Sequence, residues 1–156
     1  MKVQQYTIGK DGDQIRIPVV DKSEFQHVTI YSLEVLDLQP GTILMVTAQV
    51  EVESKIPTNV LVASHLVLAE SPTAKDGLVI APATGTNIVN RPEGGGVYQH
   101  YYVATSIGSL AIVESARRKF VNFLAYSACD AAISANDRFL IARAYAGSMT
   151  VLRFEA

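Results

Sequence analysis

The sequence predicts one all-β domain, a two-sheet sandwich preceded by a short N-terminal arm. Three observations carry that expectation. Apolar residues recur with a period of two, as in Leu44, Val46, Ala48, Val50 and Val52 against Thr47, Gln49 and Glu51, the pattern of a half-buried strand. Turn-forming residues punctuate the chain at spacings of roughly 8 to 15 residues, without an amphipathic helix of three turns, which suits a sandwich or barrel. The 156 residues fill one domain and are too few for two.

Residues 1 to 26 hold eight charges: Lys2, Lys10, Asp11, Asp13, Arg16, Asp21, Lys22 and Glu24. Asp11-Gly12-Asp13 reads as a turn, and Pro18 confines the extended run Ile15 to Val20 to a sheet edge. This segment is expected to be an arm that docks on a neighbour or an edge hairpin, with residues 27 to 156 forming the sandwich. His27 to Leu38 is a strand that Gln39-Pro40-Gly41-Thr42 closes with a turn, and Ile43 to Val52 follows. Ile56-Pro57-Thr58-Asn59 breaks the chain before Val60 to Leu68, and Asp76-Gly77 turns into Leu78-Val79-Ile80. Residues 81 to 96 are rich in Pro, Gly and Asn and predict a long loop. Tyr98 to Thr105 resumes as strand, Gly108-Ser109 turns into Leu110 to Glu114, and Arg117-Arg118-Lys119 forms a basic hairpin tip before Phe120 to Ala128. Cys129 to Asp137 fits a single helical turn. Phe139 to Tyr145, a Gly147-Ser148 turn and Met149 to Phe154 end the chain as a hairpin.

The net charge of -2 argues against a nucleic-acid face, which is usually basic. No run approaches the roughly 20 apolar residues that span a bilayer, and the N-terminus lacks the apolar core of a signal peptide. A soluble, unsecreted protein is expected. The single cysteine, Cys129, excludes an internal disulfide and any zinc site built on several cysteines. Charged residues make up 18% of the chain, against about 25% in typical domains. The deficit is local: Val97 to Ala116 carries Glu114 alone, and Ile56 to Ala69 and Phe120 to Cys129 carry no formal charge. Solvated strand faces usually carry Lys or Glu. Such neutral strands predict a second covered face, and a subunit interface would cover it.

Catalytic motifs fail one by one. Gly94-Gly95-Gly96 precedes a strand, whereas a phosphate loop needs a helix N-terminus. His27, His65 and His100 show no ligand spacing on one element. Cys129 has no neighbouring base, there is no Gly-x-Ser-x-Gly elbow, and Glu51 and Glu53 fit solvated repulsion better than glycoside chemistry. No catalytic residue, metal or cofactor is expected. The expected oligomer seam consists of Tyr98, His100, Tyr101 and Tyr102, with Phe123 and Tyr126, because rings with polar tips suit a subunit interface. Arg117, Arg118 and Lys119 would contact an acidic partner or serve solubility. Arg143 and Arg153 interrupt apolar strands and want carboxylates, with Glu114, Glu51 and Asp137 as candidates.

Leu38-Gln39-Pro40-Gly41-Thr42-Ile43-Leu44 opens one strand, and Phe120-Val121-Asn122-Phe123-Leu124-Ala125-Tyr126 lies near the end of the chain. With the segment from Ala144 to Leu152, these resemble, in organisation over residues 27 to 155, the jelly-roll sandwiches of the tumour-necrosis-factor type. They also resemble accessory proteins of bacteriophage virions built on similar sandwiches. The resemblance implies a jelly-roll-type β-sandwich that trimerises through flat, neutral, aromatic strand faces. The missing membrane anchor, secretion signal and disulfide turn the reading away from a cytokine and toward a microbial or viral structural protein.

The expected function is therefore non-enzymatic: a bacteriophage virion component, capsid decoration or tail-associated, assembled in the host cytoplasm as a symmetric oligomer, most simply a trimer. Its partners would be further copies of itself and a capsid or tail. The alternative is a carbohydrate-binding module using the 81–96 loop and nearby tyrosines. A cupin-like enzyme would require His65 and His100 to converge with a carboxylate.

Overall fold

The computed structural model describes residues 2–9, 14–20, 25–56, 59–88, 100–129 and 139–155, with the side chain of His100 excepted. They form nine strands: β1 (Lys2–Ile8), β2 (Gln14–Val20), β3 (Val28–Leu38), β4 (Ile43–Ser54), β5 (Val60–Ala69), β6 (Leu78–Ile88), β7 (His100–Ala111), β8 (Ala116–Ala128) and β9 (Phe139–Glu155). No helix occurs among the described residues. The fold is all-β, a jelly-roll-type sandwich of two sheets.

Sheet A is organised around β9. On one side β9 pairs antiparallel with β4, and β4 in turn with β7. It also pairs with β1 through residues 149–155 and with β2 through residues 139–143. Sheet B has the order β6-β5-β8, and β8 then pairs with β3. β2 crosses between the sheets: after Pro18 it leaves β9 and runs parallel to β8 at Val19 and Val20. Proline has no N–H to lose at that switch, and the Pro18 carbonyl accepts a 2.9 Å bond from Ser127 Oγ. At the opposite side β7 passes over β6 so closely that a Cβ on Gly108 would strike the Ile80 carbonyl.

The period-two pattern of β4 is realised in full, with Leu44, Val46, Ala48, Val50 and Val52 all buried in the core between the sheets. Each large aliphatic side chain placed there contributes about 1.5 to 3 kcal/mol. Pro40 and Gly41 make the expected turn: Gly41 has φ 91°, and Thr42 N–H donates to the Gln39 carbonyl at 3.1 Å. Tyr31 is fully buried beside Phe123, rings nearly parallel at 6.2 Å. Its hydroxyl donates to the Ala144 carbonyl of the opposing sheet, and burial pushes its pKa up from 10.0, keeping the donor protonated. Arg153, also buried, donates to the carbonyls of Leu36 at 2.5 Å and Asp37 at 2.7 Å. It pairs with Glu155, where the sequence suggested Glu114, Glu51 or Asp137.

Four expectations are corrected. β7 and β9 are single strands that run straight through Gly108-Ser109 and Gly147-Ser148. These glycines mark close backbone approach instead of turns, since a Cβ on Gly147 would collide with the Gln49 carbonyl. Residues 81–88 of the expected 81–96 loop belong to β6, and 89–96 lie outside the described residues. Arg117-Arg118-Lys119 begins β8 and is no hairpin tip. The N-terminal segment is neither a separate arm nor a hairpin. β1 and β2 lie end to end along β9, and Ile17 and Val19 are buried in the core. The Asp11-Gly12-Asp13 turn and residues 130–137 of the expected helical turn fall outside the described residues.

Two outcomes follow for chemical denaturation. Ile17→Ala should cost about 2 to 5 kcal/mol, as for other buried large-to-small changes. An undiminished midpoint would return β2 to the status of an arm. Tyr31→Phe should cost about 1 to 3 kcal/mol, because it strands a buried carbonyl.

Candidate interaction surfaces

The three neutral stretches have different fates. Ile56 to Ala69 contains β5, buried on both faces, and Phe120 to Cys129 is the buried part of β8. Their outer face is covered within the protomer by the connection between β5 and β6. Asn122 Nδ2 donates to the carbonyls of Ser71 at 3.0 Å and Ala74 at 2.9 Å, and Ala74 packs on Val67, Ala69 and Leu124. Intrachain cover, not a second subunit, accounts for the lack of charge in these two stretches.

The third stretch contains β7, and its outward side chains are exposed. The register of sheet A sets them in rows across four strands. Val3, Phe154, Ile43 and Ala111 form one row, then Gln5, Leu152, Met45 and Ser109, then Thr7, Thr150, Thr47 and Ile107. Ser148, Gln49 and Thr105 form the next. No formal charge occurs in these rows. Ile107 is 69% exposed, and Val3, Met45 and Val103 are each exposed by about half. Contiguous exposed apolar surface of this kind marks interaction sites. β7 is also the last strand of sheet A, and its outward face lacks the charges that usually blunt an edge.

Charge begins where the neutral rows end. Arg143 lies 3.4 Å from Glu51 and is bonded to Glu53, whose other oxygen is 3.5 Å from Lys55. The Arg143 guanidinium also sits 4.9 Å from the Tyr101 ring centroid. Donating to the Glu53 carboxylate raises the Arg143 pKa above its ordinary value, so the cation is permanent. Glu53 is 5% exposed, and burial of a carboxylate is costly unless it is paired. Glu51 is the partner suggested for Arg143 by the sequence, while Glu53 was missed. Its two-residue spacing from Glu51 on one strand face was the available signal.

The expected seam residues disperse over three environments. Tyr101 is 52% exposed on the outer face of sheet A. Tyr102 points the other way and packs against the core, and Phe123 is wholly buried in it. Neither serves as a seam residue, because adjacent strand positions alternate faces and Phe123 faces Tyr31. Tyr126 lies on sheet B against Phe25 and His27. Tyr98 and the His100 side chain fall outside the described residues. Arg118 pairs with Glu34 at 2.8 Å and Lys119 with Glu70, leaving Arg117 as the member of the trio without an ion-pair partner among the described residues. His65 lies on sheet B, whereas His100 opens β7 in sheet A, opposite Ser54. Among the described residues no group of three or more His, Cys, Asp or Glu is placed to hold a metal.

Comparison with solved structures agrees with this architecture. A chain from the structure of infectious bursal disease virus Gx strain superposes over 97% of this chain with a TM-score of 0.57 and 11% identity. A mutant VP2 protein of the same virus, in derived T=1 particles, gives 0.57 and 15% over the same 97%. The VP2 subviral particle gives 0.53 and 16%. The likeness is one of fold. This chain spans about a third of those chains, 33%, 32% and 32% respectively. No protein-family model matches the sequence, and no curated protein matches it.

The Arg143 cluster can be tested by thermal unfolding. Arg143→Met should lower the midpoint clearly, since it removes the guanidinium bonded to the buried Glu53 carboxylate, whereas Arg117→Met should leave it unchanged. Equal midpoints would show that Glu53 does not depend on Arg143.

Proposed function

We propose that this chain is a non-enzymatic structural protein of a virus particle, acting by self-association through the outer face of sheet A. The observation that carries this reading is the charge-free set of rows from β1 to β7, with exposed Ile107, Met45 and Val3. A fold shared with chains of infectious bursal disease virus particles supports it. The neutral face suits a second copy of itself, because two like-charged faces would repel, and three-fold closure is the symmetry we assign. Tyr101 sits at the border of this seam. The narrower assignment, to a bacteriophage head decoration or tail-associated protein, rests on the organisation of the sequence. Arg117, exposed on β8, would be available to an acidic surface of the larger assembly. The carbohydrate-binding alternative loses much of its basis, since half of its loop is strand.

Sedimentation equilibrium at low micromolar concentration should give three times the chain mass. Ile107→Lys and Tyr101→Asp should each weaken association at least about tenfold, because a charge would be desolvated in the seam, with the thermal midpoint of the Ile107→Lys monomer unchanged. A protein that stays monomeric at these concentrations would refute the seam. Association that survives both substitutions would move it elsewhere.

A further inference from the structure

The outer face of sheet B carries a feature that assembly through sheet A does not use. The segment 25–27, just before β3, lies across β5 and β8. The His27 ring meets the His65 ring edge-on at 4.8 Å and the Tyr126 ring at 4.6 Å. Phe25 packs on the other part of Tyr126 at 4.7 Å. Neither His27 Nδ1 nor His65 Nδ1 meets a hydrogen-bond partner among the described residues, and both atoms are buried. The neighbouring strap, residues 70–77, is tied to the same place, since Lys75 Nζ donates to the His27 carbonyl.

We propose that His27 and His65 form an acid-sensitive latch that holds the 25–27 segment and the 70–77 strap on sheet B at neutral pH and releases them on acidification. The charges and titratable groups around the pair make the direction definite. From β5 comes His65 itself and from β8 Tyr126; the strap supplies Lys75 and Asp76. Lys75 disfavours a second cation, and Asp76 offsets it in part. Protonating both imidazoles would place two more positive charges within 5 Å of each other, with no acceptor for either Nδ1 among the described residues.

Burial, and then the proximity of His27, lowers the His65 pKa from 6.5 to about 4. Burial, and then Lys75, also lowers that of His27. The released state therefore binds protons that the latched state refuses between pH 6.5 and about 4. Latching is complete above this window and weakens as pH falls through it, by up to about tenfold for each pH unit through His65, with His27 acting in the same direction. What release uncovers is apolar: Val67, Ala69 and Leu124 lie under Ala74 of the strap. The latch would thus present a hydrophobic surface in acid and withhold it at neutral pH.

Hydrogen exchange of the whole protein, corrected for intrinsic rates, tests the proposal between pH 7.5 and 4.5. Amides of residues 25–27 and 70–77 should lose protection at least about tenfold across that range, while β4 and β9 keep theirs. The double variant His27→Phe, His65→Phe keeps two rings and removes the titration, and its protection should not change with pH. Unchanged protection of these segments in the wild type at pH 4.5 would overturn the latch, as would the same pH dependence in the double variant. Should that variant fail to fold, the wild-type imidazole resonances decide. Ordinary titration of both near pH 6.5 overturns the proposal, and depressed titration coinciding with local exchange supports it.

Discussion

The structure depends on how one long strand is broken without being ended. β9 pairs with β4 along most of its length, but the register shifts between Val50 and Glu51, which face Gly147 and Arg143. Residues 144–146 are therefore extra on β9 and leave the ladder. Ala144 is fully buried, so its carbonyl needs a donor that the ladder no longer supplies. The Tyr31 hydroxyl, from the other sheet, is that donor. The bulge lets β9 take β2 along one half and β1 along the other. The same hydrogen bond sets the spacing of sheet B against sheet A. Gly147 belongs to the same device, because its missing side chain leaves room for the Tyr31 hydroxyl and the Gln49 carbonyl.

That device explains which parts of the fold were legible in the sequence. β4 was readable because one face meets the core and the other meets solvent, so period two survives in the residue types. The turn at Pro40-Gly41 was readable because φ preference is local. Gly147-Ser148 and Gly108-Ser109 misled for the same physical reason that makes glycine useful. A strand that passes against a carbonyl and a chain that reverses direction both select a residue without Cβ, and only the tertiary partner distinguishes them. β2 misled because its charges lie at its start and in the preceding segment, while Ile17 and Val19 carry the burial. The basic run 117–119 looked like a solvated tip because its counter-charges, Glu34 and Glu70, come from distant positions.

The candidate surface was half legible. Neutrality signalled that strands would be covered, yet composition does not say by what. For β5 and β8 the cover is the chain's own strap, held by Asn122. For β7 the outward face remains bare. A side chain such as Asn122 inside an apolar strand is the sequence trace of intrachain cover, because a buried amide needs backbone partners. β7 has Ser106 on its inner face, bonded to Ser64 of β5 at 2.8 Å, and its outward residues are Tyr, Val, Thr, Ile, Ser and Ala.

The two sheets thus divide the chemistry of the surface between them. The outer face of sheet A is neutral and open from β1 to β7, and charge gathers at its border, in the Arg143 cluster and at Arg16 over Phe139. The outer face of sheet B is apolar beneath a strap and pinned by ionisable rings. β8 joins these worlds, since Phe123 faces inward to Tyr31 while Leu124 and Tyr126 face outward to the strap and the histidines. Adjacent residues on one strand point to opposite faces, so the strap can lift from Leu124 without withdrawing Phe123 from the core. The proposed release of the strap and the proposed association through sheet A would therefore be distinct events. The first would respond to protons on His27 and His65, and the second to charge or dilution at Ile107 and Tyr101.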